Sequence, residues 1–472
     1  MTSCVHYQRH DDIGVISIDN PPVNALSHAV RSGICQALDE GQADDAAAAL
    51  VIMATGRTFI AGADIREFGK PPQAPLLPDV IARLESSSKP IVAALHGTAL
   101  GGGLEVALGC QVRIALPGTR VGLPEVKLGL LPGAGGTQRL PRLAGMQTAL
   151  DMITSGRFVS ADEALESGIV DAISAENDPL QAGIAMARDV IAGRLTPRVT
   201  GQLPAPEIDE AALAHYRSKL ESEAPELFSP FRCIDAIEAS SQGSLEEGLR
   251  RERELFLACM DSPQRAGLIH AFFAARSPHK VPDVDSAPTL ERIALLGSHP
   301  LFEQLEANAE RAGIELVRHA DESTRACLVA PGHDIPTSCQ PGCMKVMLWE
   351  LESSLDNPNA DADAEMLLVM KSSNGPLEIV LRTGTQAQQQ ALANTLKALR
   401  KSIVVSCEQS ILATLLNASQ GLPAEQHYLA WQEASQRIAA EGFCYRPSDI
   451  DFLAVEALAY PRHLGGPHRQ AE

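Results

Sequence analysis

Apolar residues follow two rhythms along this chain, and the alternation between them outlines a first domain. Residues 13–18, Ile-Gly-Val-Ile-Ser-Ile, and 50–54, Leu-Val-Ile-Met-Ala, are apolar runs of strand length, the pattern of strands buried on both faces. Between them, Ser27 to Gly41 sets Val30, Ile34, Ala37 and Leu38 on one helical face. Pro90 to Leu95 predicts a third strand that runs into a glycine-rich turn, Gly97–Gly103, and then a helix over Leu104–Gly109. Residues 160–168 predict a short capped helix ending at Gly168. Strand, helix, strand, glycine turn and helix make the rhythm of repeated β-β-α or βαβ units around a buried sheet, so the fold class is α/β.

Beyond this the pattern changes twice. A polar, proline-containing stretch at Thr196–Glu210 marks a linker, and from Glu207 to about Arg276 the spacing is helical. Within it the mixed-charge run Glu246–Glu254 predicts a solvated helix face. A second linker spans Ser277–Leu290, Leu290–Cys407 alternates apolar strands with helical stretches, and the remainder to Glu472 is mainly helical. The expected division is a domain over 1–190, a helical linker segment over 191–285, an α/β domain over 286–405 and a small helical domain over 406–472.

Charge and composition narrow the partners. A formal net charge of −20 over 472 residues argues against nucleic acid or an anionic membrane as a general partner. No apolar run reaches the ~18 to 20 residues of a membrane span. Met1–Asp12 is too polar for a signal peptide, and Gln470-Ala471-Glu472 is not a peroxisomal address, so the cytoplasm is the expected compartment. Ten cysteines are scattered, many within apolar segments such as those of Cys35, Cys110 and Cys407, which suits reduced thiols. Cys339 and Cys343 form a close pair, but no second pair at ligand spacing accompanies them, and no metal site is expected.

The candidate chemistry lies in two glutamates. Glu105 follows His96-Gly97-Thr98-Ala99-Leu100-Gly101-Gly102-Gly103-Leu104. Glu125 lies in Leu123-Pro124-Glu125-Val126-Lys127, shortly before Leu131-Pro132-Gly133-Ala134-Gly135-Gly136. A third segment, Phe59-Ile60-Ala61-Gly62-Ala63-Asp64-Ile65-Arg66, precedes both. Glycines let backbone amides approach a ligand, and free amides at a helix start bind anions. Singly, Glu105 reads as a complement to a helix dipole and Pro124-Glu125 as an ordinary turn. Two carboxylates beside such donors point to proton transfer next to a stabilised oxyanion.

In this order the three segments resemble the crotonase (enoyl-CoA hydratase/isomerase) superfamily. The similarity is greater still to the hydratase half of bifunctional enoyl-CoA hydratase/3-hydroxyacyl-CoA dehydrogenases, and it extends from about residue 10 to residue 280. The resemblance implies a crotonase-like β-β-α spiral domain followed by a linker helix. It places the two oxyanion-hole amides on Ala63 and Gly102, the catalytic carboxylates on Glu105 and Glu125, and a water-orienting amide on Gly133. In its terms Glu125 exchanges the proton at C2 and Glu105 holds and activates water. Ala61, Asp64, Ile65 and Arg66 match the stretch beside coenzyme A, and Asn24 a structural turn near it.

The implied substrate is a coenzyme A thioester, the implied reaction hydration of a 2-trans-enoyl-CoA in fatty-acid β-oxidation or related acyl-CoA metabolism, with no cofactor. The Δ3-Δ2-enoyl-CoA isomerase reaction and a non-catalytic acyl-CoA-binding or complex-assembly role are the alternatives. The family also allows a homo-oligomer or a thiolase-type partner subunit.

The second half departs from that family. Where a G-x-G-x-x-G turn would follow the first strand stands Gly297-Ser298-His299-Pro300-Leu301-Phe302, and Arg318 replaces an acidic residue at the end of the next strand. Lys371-Ser372-Ser373-Asn374 stands where the family has its histidine region. A degenerate Rossmann-like domain that takes no NAD is the expectation.

Overall fold

A computed structural model describes residues 4–67, 69–276, 278–284, 286–334, 342–351 and 364–471. Cys339, one half of the close cysteine pair, lies outside them. Cys4, Cys35, Cys110, Cys233, Cys259, Cys407 and Cys444 are free thiols, and no cluster of His, Cys, Asp and Glu able to hold a metal occurs among the described residues. Among those residues no helix is long and apolar enough to cross a membrane.

The chain divides into two compact units, one ending at Arg265 and the other beginning at Ala266. In the first, β1 (Val5–His10), β2 (Ile13–Ile18), β3 (Ala49–Ala54), β4 (Ile91–Leu95), β6 (Val112–Ala115) and β9 (Ala172–Ile173) form one sheet in that order. All its pairings are parallel except β1 with β2. A small second sheet joins β5 (Thr98–Leu100), β7 (Arg120–Gly122) and β8 (Phe158–Ser160). The three apolar runs are strands as expected. Two-residue alternation along them feeds two cores. Leu50, Ile52, Ile91 and Ala93 face α1 (His28–Ala43), α2 (Leu77–Glu85), α3 (Gly102–Leu108) and α4 (Gly136–Ser155). Val51, Met53, Val92 and Ala94 face α6 (Pro179–Ile191), which follows the short α5 (Ala161–Glu166). β1, with its polar sequence, was not read as a strand; it is an edge, where one exposed face suffices.

The expected boundary at residue 190 is corrected. α7 (Glu210–Glu223), α8 (Ser229–Ala239) and α9 (Leu245–Met260) belong to the first unit, because Leu213, Cys233, Ile234, Ile237, Leu255 and Cys259 complete the same core as α4. The mixed-charge run is therefore solvated on only part of α9: Gly248 and Glu252 are buried.

The division into 286–405 and 406–472 is also corrected. After α10 (Pro263–Ala274), in which the two units meet along the chain, β10 (Arg292–Leu296), β11 (Glu315–Val317), β12 (Ala326–Val329), β13 (Met344–Glu350), β14 (Met366–Met370), β15 (Leu377–Leu381) and β16 (Ile403–Cys407) form one sheet ordered β11-β10-β12-β13-β14-β15-β16. One face packs on α11 (Pro300–Ala312) and α12 (Gln386–Ala398). The other packs on α13 (Ile411–Ser419), α14 (Ala424–Glu441) and α15 (Pro447–Leu458), with α16 (Pro467–Ala471) closing the end. The C-terminal helices are thus the second layer of the sheet rather than a domain of their own.

One polar residue fixes the entry to the first unit's glycine segments. Asn24, buried at φ 53°, receives the Asn20 amide on Oδ1 (2.8 Å) and donates from Nδ2 to the carbonyls of Thr55 (2.8 Å) and Thr58 (2.9 Å). Its role is structural. Asn24→Ala strands those groups, and we expect a loss of about 1–3 kcal/mol, read as a lower thermal midpoint.

Candidate active site

Two short bridges bring the glycine segments together. Ile60 pairs with Ala99 and Leu26 with Ala63. In the second bridge the Leu26 amide donates to the Gly62 carbonyl (2.9 Å), so the ladder bonds run through the neighbours of Ala63 and leave its own N–H outside. Gly102 is the first residue of α3, so its N–H has no intrahelical acceptor. Gly101 before it has φ 54° and ψ −127°, a conformation open to glycine. A Cβ on Gly101 would lie 2.9 Å from Glu125 Oε1 and 3.9 Å from Gly62 Cα. Gly101, Gly62 and the Glu125 carboxyl therefore lie close together.

Glu105, one turn into α3, is buried. Its Oε1 accepts the amides of Ala134 (2.8 Å) and Gly136 (2.9 Å). Glu125 begins a 3₁₀ turn, and its Oε2 is buried without a hydrogen-bond partner among the described residues. Burial and then the Glu105 charge raise the Glu125 carboxyl well above the ordinary range. Burial raises Glu105 as well, opposed by its two amides and by Arg139. Such environments separate the two acids in their hold on a proton.

A third carboxylate was missed. Glu252 of α9 accepts the Gly135 amide on Oε1 (2.7 Å), and the Thr137 amide (3.0 Å) and hydroxyl (2.5 Å) on Oε2. Four consecutive amides thus serve two acids in alternation: Ala134 and Gly136 hold Glu105, Gly135 and Thr137 hold Glu252. Burial and the Glu105 charge push Glu252 up to about 8. Arg139 braces the same turn, pairing with Glu85 at 2.7 Å while both are largely buried. Gly133 opens the turn with Phe256 against it; a Cβ there would lie 2.6 Å from the ring. The available signal for Glu252 was its place in the stripe Gly248, Glu252, Leu255, Cys259, where a helix buries its inner face.

The residues matched to coenzyme A are placed less tellingly. Ala61 is half-buried and its amide donates to the Val23 carbonyl (3.2 Å). Asp64 is buried, and Arg66 pairs with it at 2.7 Å while its own side chain is 75% exposed. The Arg66 hydrogen bonds hold the Asp64 carboxyl below its usual range, so a phosphate would compete with Asp64 for that guanidinium. Ile65 lies in the short 3₁₀ turn Ile65–Glu67.

In the second unit the chain leaves β10 for neighbours on opposite sides, β11 and β12, the kind of switch point where doubly wound sheets bind nucleotides. There His299 caps α11, its Nδ1 accepting the Leu301 amide (3.2 Å). A Cβ on Gly297, at φ 90°, would lie 2.6 Å from the His333 ring. One imidazole thus lies against the Gly297 turn and another occupies the Leu301 amide.

The first unit's two sheets, helical cover and buried acids beside glycine turns are those expected of a crotonase-class domain. Residues 8–198 match the Enoyl-CoA hydratase/isomerase family, and that stretch is a domain of the family. Among curated proteins the chain is similar to the peroxisomal bifunctional enzyme of Homo sapiens, 41% identical over 274 residues, covering 57% of this chain and 38% of that protein. The Danio rerio protein of the same name is 40% identical over 270 residues, covering 57% and 37%. The peroxisomal fatty acid beta-oxidation multifunctional protein AIM1 of Arabidopsis thaliana is 37% identical over 305 residues, covering 61% and 42%. The chain spans about two fifths of the length of these relatives.

The raised proton affinity of Glu125 has a consequence for stability. Its folded value lies above the ordinary carboxylate value of ~4.3, so the stabilisation it provides is complete below that value and is lost as pH rises through the folded one. Glu125→Gln removes the group without removing a partner of Oε2. Its thermal midpoint should gain on that of the wild type as pH is raised from about 5 to about 9, a trend that differential scanning calorimetry reads directly.

Proposed function

We propose that the first unit hydrates 2-trans-enoyl-CoA to 3-hydroxyacyl-CoA within β-oxidation or related acyl-CoA metabolism. The observation that carries this is the unpartnered Glu125 Oε2, buried in the volume shared by Glu125 and the glycine turn that leads to the Gly102 amide. The thioester oxygen sits between the amides of Ala63 and Gly102, which stabilise the enolate-like charge that grows there. Glu105, its negative form favoured by two amides and Arg139, takes a proton from water as the hydroxyl oxygen bonds to C3. Glu125, which keeps its proton more tightly, delivers one to C2, and the proton left on Glu105 then returns to Glu125 to reset the site. The C2–C3 double bond becomes single, and one water is consumed. Gly133 helps orient that water, and Ala61, Asp64, Ile65 and Arg66 line the coenzyme A approach.

Hydration is preferred to Δ3-Δ2 isomerisation because two acids are retained, where a single acid suffices to carry a proton between C2 and C4. The second unit takes no NAD in this proposal and serves as a buttress or an interface, for a second copy or a thiolase-type subunit. The compartment is the cytoplasm, and the peroxisomal names of the relatives make organelle fractionation its test.

Purified protein should bleach the ultraviolet absorbance of crotonyl-CoA, and Glu105→Gln or Glu125→Gln should each lower kcat by roughly 10²–10⁴-fold in a folded protein. Undiminished turnover in either variant would remove the two-acid mechanism. NADH formation from a 3-hydroxyacyl-CoA would contradict the inert second unit.

A further inference from the structure

Glu252 is an expensive residue to keep. It lies in the inner stripe of α9 between Gly248 and Leu255, where a leucine would bury without the several kcal/mol that desolvating a carboxylate costs. Capping α4 does not require it, since a local serine or aspartate at the helix start does that routinely. Instead the carboxylate comes from 117 residues beyond Gly135. α9 comes close enough to α4 that a Cβ on Gly248 would lie 2.1 Å from Gln138 Oε1. Gln138 in turn donates to Thr137 Oγ1 (2.9 Å), the hydroxyl that donates to Glu252. One helical turn further on, Phe256 covers Gly133.

We propose that Glu252 is a positioning residue of the hydratase site: it fixes the turn whose alternate amides hold Glu105. The inference rests on the hydratase function. Both acids lose their geometry together if the turn relaxes, because Ala134–Gly136 and Gly135–Thr137 are interleaved along one backbone. The charged and titratable groups around Glu125 come from several elements: Glu105 from α3, Glu252 from α9 and the Cys233 thiol from α8. Arg139 of α4, paired with Glu85 of α2, acts on Glu105. Glu105 and Glu252 both oppose ionisation of Glu125.

The test is crotonyl-CoA hydration by the full chain across pH, comparing wild type with Glu252→Gln, Thr137→Val and Thr137→Ser. Glu252→Gln should lower kcat about 10–100-fold through misplacement of Glu105, leave KM within roughly threefold, and move the alkaline limb to lower pH, since a charge opposing Glu125 ionisation is gone. Thr137→Val, which removes one donor to Glu252, should act in the same direction and keeps the inference testable if Glu252→Gln does not fold. Thr137→Ser restores the hydroxyl and should track the wild type. A folded Glu252→Gln with wild-type kcat and pH limbs, or with KM alone changed, overturns the inference. If the wild type hydrates no enoyl-CoA, the hydratase reading fails by itself. Glu252 is then judged by carbon-13 titration of the Glu125 carboxyl, where a downward shift in Glu252→Gln upholds the coupling and no shift refutes it.

Discussion

Everything in the first unit's site depends on how four consecutive backbone amides are shared between two buried acids. A carboxylate removed from water must be met by donors or it takes up a proton. At Glu105 and Glu252 the donors are main-chain N–H groups at the start of α4, where helix geometry leaves them unpaired and the dipole favours negative charge. Glu125 has no comparable set and keeps one oxygen unpartnered. As side chains the acids are identical, and what sets them apart is this unequal supply of donors.

The sequence shows much of this architecture because its strongest elements are locally determined. The runs at 13–18, 50–54 and 91–95 are long, apolar and bounded by turn residues, and each is a strand. Glycines at 101 and 102 announced a tight approach, and the backbone supplies it. The shorter strands, such as Arg120–Gly122 and Phe158–Ser160, are set by pairing across the chain and carry little local signal. Glu252 was read as solvated because a run of alternating charges usually is. Only the path of α9 across α4, a tertiary fact, turns one of those charges inward.

The second unit illustrates the opposite relation between fold and site. Its sheet keeps the switch point between β10 and its two neighbours, so the architecture that elsewhere receives a nucleotide is retained. Side chains stand at that point: His299 caps α11, and His333 packs on Gly297. Substituted glycines were visible in the sequence, but the two imidazoles filling their place required coordinates. The C-terminal helices, read as a separate domain, are held to the sheet by Trp431, Ile450 and Leu453, whose burial depends on a face that helical periodicity alone cannot assign.

Interleaving by main-chain donors also sets what kind of heritable change this site can survive. Every residue except proline carries a backbone N–H, so exchanging Ala134 for serine leaves the alternation intact. Losing or gaining a single codon between Gly133 and Thr137 does not: every subsequent donor would then serve the other acid. At this turn the reading length is constrained as well as the letters: Gly133, Gly135 and Gly136 leave no room for a Cβ, and a lost or gained codon would reassign every donor after it.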